Sequence, residues 1–189
     1  MILVNNAANW NAVYPPLRHS AWHGWTFTDT IFPFFLWIAG VSMTFSFAKR
    51  LERTDGRARL LTHTLQRAAT IFLLGLFLNL FPLFQFSTVR IPGVLQRIAV
   101  CYLIAGAIFL YTSLRGQIVW TASLLLVYFA LMKFVPVPGF GAGILEREGN
   151  FAQYVDQMVL SGHMWASTKT WHPEGIVSTL PSIATVLFG

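Results

Sequence analysis

Four apolar segments, each of membrane-spanning length, dominate this chain: Thr30–Ala48, Ala68–Phe86, Ile98–Leu114 and Ile118–Val137. The hydrocarbon core of a bilayer is about 30 Å thick, and a helix rising 1.5 Å per residue crosses it in ~20 residues. The segments are continuous and lack period-two alternation, so helices rather than barrel strands satisfy their backbone groups in lipid. The third is short, and extending it backwards through Pro92 lengthens it, since proline suits a first helical turn. Met1 to Val4 reads as the last turn of another helix, and Ile176 to Gly189 as the beginning of a further one. The expected fold is an all-α polytopic membrane protein with four full transmembrane helices and two truncated ones. Residues 1–189 then form one partial transmembrane domain of a longer protein.

Composition supports this class. Hydrophobic residues make up 55% of the chain and charged residues 11%, with a mean hydropathy of +0.58. A soluble domain carries about 25% charge. The single Cys101 lies in an apolar run and excludes an intrachain disulfide framework. The net charge of +6 suggests nucleic acid at first sight, but its distribution fits membrane topology instead. The loop Lys49–Arg67 holds six basic residues against two acids, whereas Pro138–Gly175 holds two against four. The positive-inside rule makes the first cytoplasmic. Alternation then places Asn5–Asp29, Ser87–Arg97 and Pro138–Gly175 outside, and the Arg115 turn inside.

His19, Asp29, Arg90, Arg97, His163, His172 and Glu174 consequently share one outer layer, although they are far apart in sequence. Ionisable groups at that depth are costly and point to function. Within Pro138–Gly175, Phe151, Tyr154, Val155, Met158 and Val159 have helical spacing. Asn150 is the expected N-cap, Gln153 completes a capping-box-like pair, and Gly162 ends the segment. This outer amphipathic helix lies along the membrane surface or lids the site.

His19 is the main catalytic candidate. A neutral imidazole takes a proton from a nucleophile or briefly carries an acyl group, and an interfacial histidine bonded to backbone is the plainer alternative. Asp29 opens a span, where it complements the helix dipole, supports the site, or pairs with Arg97. Gln96 and Arg97 can bind an anion or carbonyl. Asn5 and Asn6 can donate to an oxyanion or cap a helix. Glu174, after Pro173, reads most simply as a helix cap. The histidines lack a metal-binding spacing with a matching acid, so no metal is expected. Arg57, Arg59 and Arg67 can grip a phosphorylated cofactor or serve only as positive-inside charge. No Gly-rich phosphate loop accompanies them. Gly40 and Thr44, at four-residue spacing, permit close helix packing.

Four blocks make a more specific pattern: VNNAANW, LRHSAWHGWTFTDTIFPFFLWIAGVS, RIPGVLQRIAVCY and PEGIVSTLPSIATVLFG. In this order they resemble the heparan-α-glucosaminide N-acetyltransferase family of polytopic membrane enzymes, which includes bacterial homologues. The resemblance implies transfer of acetyl from cytoplasmic acetyl-CoA to an amino sugar or glycan acceptor on the opposite side of a bacterial-type inner membrane. It aligns His19 with the family's active-site histidine, Asn5 with its helix-ending asparagine, and Asp29 with its acid. Gln96, Arg97 and Glu174 fall on the LQR and PEG blocks. These three, with Trp22, are the expected acceptor-binding residues, and Arg57, Arg59 and Arg67 the expected donor-binding ones. The chain departs from the family pattern at His172, where an aspartate is usual. It also lacks the Asp-x-x-Arg-Gly segment and the second half of the membrane domain. The expected partners are the acceptor, the lipid bilayer and a second copy of the chain, without nucleic acid. A transporter and a non-catalytic membrane subunit are the rival readings.

Overall fold

Prolines, glycines and capping side chains set the helix ends, and hydropathy marks only the part of each helix that contacts lipid. The computed structural model describes residues 13–52, 56–164 and 171–189, and these are helical with no named strand. Helix α1, Phe27–Glu52, carries Asp29 in its first turn and Lys49 and Arg50 in its last, so both ends complement the macrodipole. Helix α2 covers Arg57–Leu80. It begins well before the expected Ala68, because arginine, leucine and glutamine are good helix formers and a basic run does not break a helix. It also stops before the expected Phe86, two residues ahead of Pro82. The cytoplasmic connection expected over Lys49–Arg67 thereby shortens to residues 53–56.

Helix α3 is Val94–Tyr111. Its N-cap is Gly93, so Pro92 precedes the cap and does not occupy the first turn. Helix α4, Leu114–Phe134, is capped by Ser113, whose side chain accepts the Gly116 N–H at 3.4 Å. Arg115 therefore lies within the first turn of α4. Helices α1 to α4 are each long and apolar enough to cross a membrane. Phe34, Trp37, Phe45, Leu73, Val119, Leu126 and Phe129 stand exposed on them, a surface suited to lipid. The chain is an integral membrane protein.

Two short helices complete the described residues. Helix α5, Phe151–Leu160, starts at the expected N-cap: Asn150 Oδ1 accepts the Gln153 N–H at 2.8 Å. Gln153 answers by accepting the Gly149 N–H at 2.6 Å, one residue earlier than in the standard capping box. Helix α6, Thr179–Leu187, packs against α1, α3 and α4, and α2 packs mainly on α3. The core combines Leu36, Met43 and Phe47 of α1 with Leu60 of α2, Cys101, Ala105 and Ile108 of α3, and Ile183 and Val186 of α6.

Gly40 lets α1 and α6 meet, as the spacing of small residues suggested. A Cβ there would overlap the Val186 carbonyl oxygen, and backbone cannot move aside as a side chain can. Gly40→Val should therefore destabilise the protein by about 1–3 kcal/mol or more, by overpacking. Thermal unfolding in detergent measures this, and an unchanged melting temperature would contradict the close approach.

Candidate active site

The start of α1, the end of α2, the start of α3, the end of α4 and the start of α6 converge at one end of the molecule. With α5 and the loops they line an open cavity of about 1220 Å³. His19, Trp22, Asp29, Arg90, Gln96, Arg97, His172 and Glu174 all line it. The helix directions inferred from the sequence thus bring distant residues into one space. His163 stands apart from the lining, with its Nδ1 2.9 Å from the Val89 carbonyl.

At the rim, His19 Nδ1 lies 2.7 Å from Asp29 Oδ1. The other carboxylate oxygen, Oδ2, accepts the Ser20 and Thr26 N–H groups at 3.1 and 3.0 Å and the Thr26 hydroxyl at 2.9 Å. A carboxylate surrounded by donors is an acceptor, so the His19 Nδ1 carries the proton that joins them. The His19 Nε2 is then left with its lone pair, the form a base or nucleophile needs. The local sequence supports this arrangement. Pro33 has no N–H to offer the Asp29 carbonyl, so the first turns of α1 are held by side chains and loop instead.

The pairing of Asp29 with Arg97 expected from the sequence does not occur. Arg97 instead donates through Nη2 to the Gly175 carbonyl at 2.8 Å and to the Ser178 hydroxyl, tying α3 to the start of α6. Asp29 is taken by its own loop, and Arg97 reaches the segment before α6 first. Glu174 does not cap the following helix, because the N-cap of α6 is Ser178, four residues later. The Glu174 Oε2 accepts Arg90 Nη2 at 2.6 Å and sits 3.2 Å from His172 Nδ1. Arg90 Nε also donates to His172 Nε2 at 3.1 Å. Burial pushes the Glu174 carboxyl up, but the His172 hydrogen bond and the Arg90 charge outweigh it and hold its pKa below the ordinary carboxylate value.

Above the cavity, two irregular segments are stitched together. Trp22 Nε1 donates to the Leu145 carbonyl at 2.9 Å, and Arg147 Nη2 donates to the Ala21 carbonyl at 2.5 Å. The Arg147 guanidinium also lies 5.7 Å from the Trp22 ring and 5.4 Å from the Trp171 ring, a cation–π contact on both. Trp22 thus serves as a wall anchor as well as a lining residue.

Helix α5 turns its polar side inward. Gln153 and Asp156 are buried and line the cavity, while Met158 and Val159 are exposed. Of the apolar stripe that identified the helix, Met158 and Val159 are exposed, while Phe151, Tyr154 and Val155 are half-buried and line no part of the cavity. Asp156 and Arg90 received no role from the sequence. The available signal for Asp156 was the spacing of Asn150, Gln153 and Asp156, which recurs every three residues along one side of the helix.

Arg57, Arg59 and Arg67 are not brought to this cavity. From Asp29 to Arg50, α1 climbs roughly 30 Å, which puts the basic residues at its far end. Arg59 lines a separate cleft of about 500 Å³ with Arg50, Thr62 and His63. The Arg67 guanidinium stacks 5.4 Å from the Tyr102 ring, and Arg57 opens α2. Asn5 lies outside the described residues. No group of three or more His, Cys, Asp or Glu positioned to hold a metal occurs among the described residues.

The family described as heparan-alpha-glucosaminide N-acetyltransferase, catalytic, matches residues 1–188. The chain belongs to this family. Heparan-alpha-glucosaminide N-acetyltransferases of Mus musculus and Homo sapiens are each 28% identical to it over 220 residues. The match covers 91% of this chain and 33% of each relative, so the chain spans about a third of their length. In this member of the family, the residues singled out around His19, the LQR block and the PEG block line one cavity, whereas the basic residues at the far end of α1 and on α2 do not.

Proposed function

We propose that the cavity is the acceptor side of an acetyl-transfer centre, which moves acetyl from acetyl-CoA to the amino group of a glucosamine-type sugar. The observation that carries this reading is the His19–Asp29 pair at the rim of a cavity lined by the family's blocks. The acceptor's ammonium first gives one proton to water, and the neutral amine nitrogen then attacks the thioester carbonyl carbon, so a C–N bond forms and the C–S bond breaks. His19 Nε2 takes the proton from that nitrogen and returns it to the departing thiolate. Asp29 fixes the imidazole tautomer and stabilises its charged form. Asn5 is the proposed oxyanion donor. Gln96, Arg97, Glu174 and Trp22 shape the acceptor pocket. The basic excess around residues 49–67 supports a cytoplasmic position for that end of the helices and an outer one for His19.

A cavity of about 1220 Å³ exceeds the ~300–1,000 Å³ usual for one small-molecule site. That room admits acceptor and thioester together, and we propose direct transfer without an acetyl-histidine intermediate. Arg57, Arg59 and Arg67 are the proposed grip for the donor's phosphates at the cytoplasmic end, from which the thioester reaches His19 between the helices. Incubating the purified protein with labelled acetyl-CoA and glucosamine should yield labelled N-acetylglucosamine. Without glucosamine, no label should remain on the protein. Stable labelled protein would overturn direct transfer, and glucosamine flux into vesicles without product would favour a transporter.

A further inference from the structure

Three carboxylates line the cavity, and two of them are matched. Asp29 faces His19 and three hydrogen-bond donor groups, and Glu174 faces Arg90 and His172. Asp156 differs. It is 1% exposed, and its single hydrogen bond is from the Ile176 N–H to Oδ1 at 2.8 Å. No cation stands within ion-pair distance of it among the described residues, and His172 and Arg97 act on it only from further away. A buried carboxylate in this condition is costly unless something else meets its charge.

A second observation points the same way. Gln96 and Arg97, 4% and 9% exposed, also line the cavity, and Gln96 Nε2 and Arg97 Nε have no hydrogen-bond partner. A buried donor left unpaired is costly. The cavity therefore needs one ligand that brings a cation to Asp156 and oxygen acceptors to Gln96 and Arg97. A sugar carrying an ammonium beside hydroxyl and ring oxygens has both. Gly175 makes room for this arrangement, because a Cβ there would overlap the Asp156 carboxylate.

We infer that Asp156 is the specificity-determining residue of the acceptor site, selecting an ammonium over a hydroxyl while Gln96 and Arg97 donate to the sugar's oxygens. The choice of an amine rests on the acetyl-transfer reading. Burial also pushes the Asp156 carboxyl above its ordinary pKa despite the Ile176 hydrogen bond.

The test is competition binding of radiolabelled glucosamine to the purified protein in nanodiscs, without acetyl-CoA, with unlabelled glucosamine or glucose as competitor. Wild type should prefer glucosamine by at least tenfold. Asp156→Asn should lose that preference, with glucose affinity unchanged and the melting temperature not lowered. Asp156→Glu keeps the charge and should keep the preference, which decides the matter if the Asn variant folds poorly. A wild type without amine preference, or an Asn variant that retains it, would overturn the assignment. Acetyl transfer to glucosamine without any amine preference in binding would sink this inference alone. Amine preference without acetyl transfer would sink the transfer reading alone.

Discussion

His19→Ala should lower acetyl transfer to glucosamine by roughly 10²–10⁴-fold, the range that a positioned general base contributes. In the proposed reaction Nε2 is the reactive atom. Nδ1 is held 2.7 Å from Asp29, and Asp29 is itself held by Ser20 and Thr26. Alanine removes the base but leaves the Asp29 cage in place, so expression, insertion and glucosamine binding should persist. Asp29→Asn should reduce turnover as well, because an amide does not stabilise the imidazolium and admits the wrong tautomer. Added imidazole should restore part of the rate to His19→Ala and none to Asp29→Asn. Wild-type turnover in His19→Ala would remove the histidine from the chemistry.

The second large effect falls on stability. Glu174 and Arg90 form an ion pair at 2.6 Å, with side chains only 14% and 25% exposed. Removing one partner of a buried pair leaves the other uncompensated, at a cost of about 3–5 kcal/mol. The remaining exposure puts Glu174→Ala and Arg90→Ala near the lower figure. The double variant should be little worse than either single one, since it leaves no orphaned charge. Acid should act through the same pair. The folded pKa of Glu174 is depressed, so its contribution is complete above the ordinary carboxylate value and disappears as pH falls through the lower folded value. Melting temperatures across that acidic window should fall less steeply for Glu174→Gln than for wild type. Parallel curves, or additive single losses, would show that the pair does not act as a unit.

Much of the fold was legible because lipid imposes a blunt rule: an apolar run of sufficient length must be a helix. The ends were less legible. Arg57 to Arg67 reads as loop by hydropathy and is helix by hydrogen bonding, and only Pro82 marks where α2 stops. At the site, His19, Asp29, Gln96, Arg97 and Glu174 could be named because they lie in recognisable blocks. Their partners could not, since a carboxylate and a guanidinium in one layer offer several pairings. Asp29 met His19 in place of Arg97, and Arg97 met backbone. Asp156 was hidden for another reason. Amphipathic patterns draw attention to apolar residues, and in α5 those face away from the cavity while the polar side lines it.

Cys101 is 0% exposed in the core formed by α1, α3 and α6, and no other cysteine occurs in the chain. The protein is thus a ready background for thiol labelling. A cysteine introduced at His23, beside the cavity loops, or at Thr62, in the basic cleft, would be the one site open to a membrane-impermeant maleimide. Which of the two reacts from outside an intact cell reads the orientation of the helix bundle, while Cys101 stays shielded in the core.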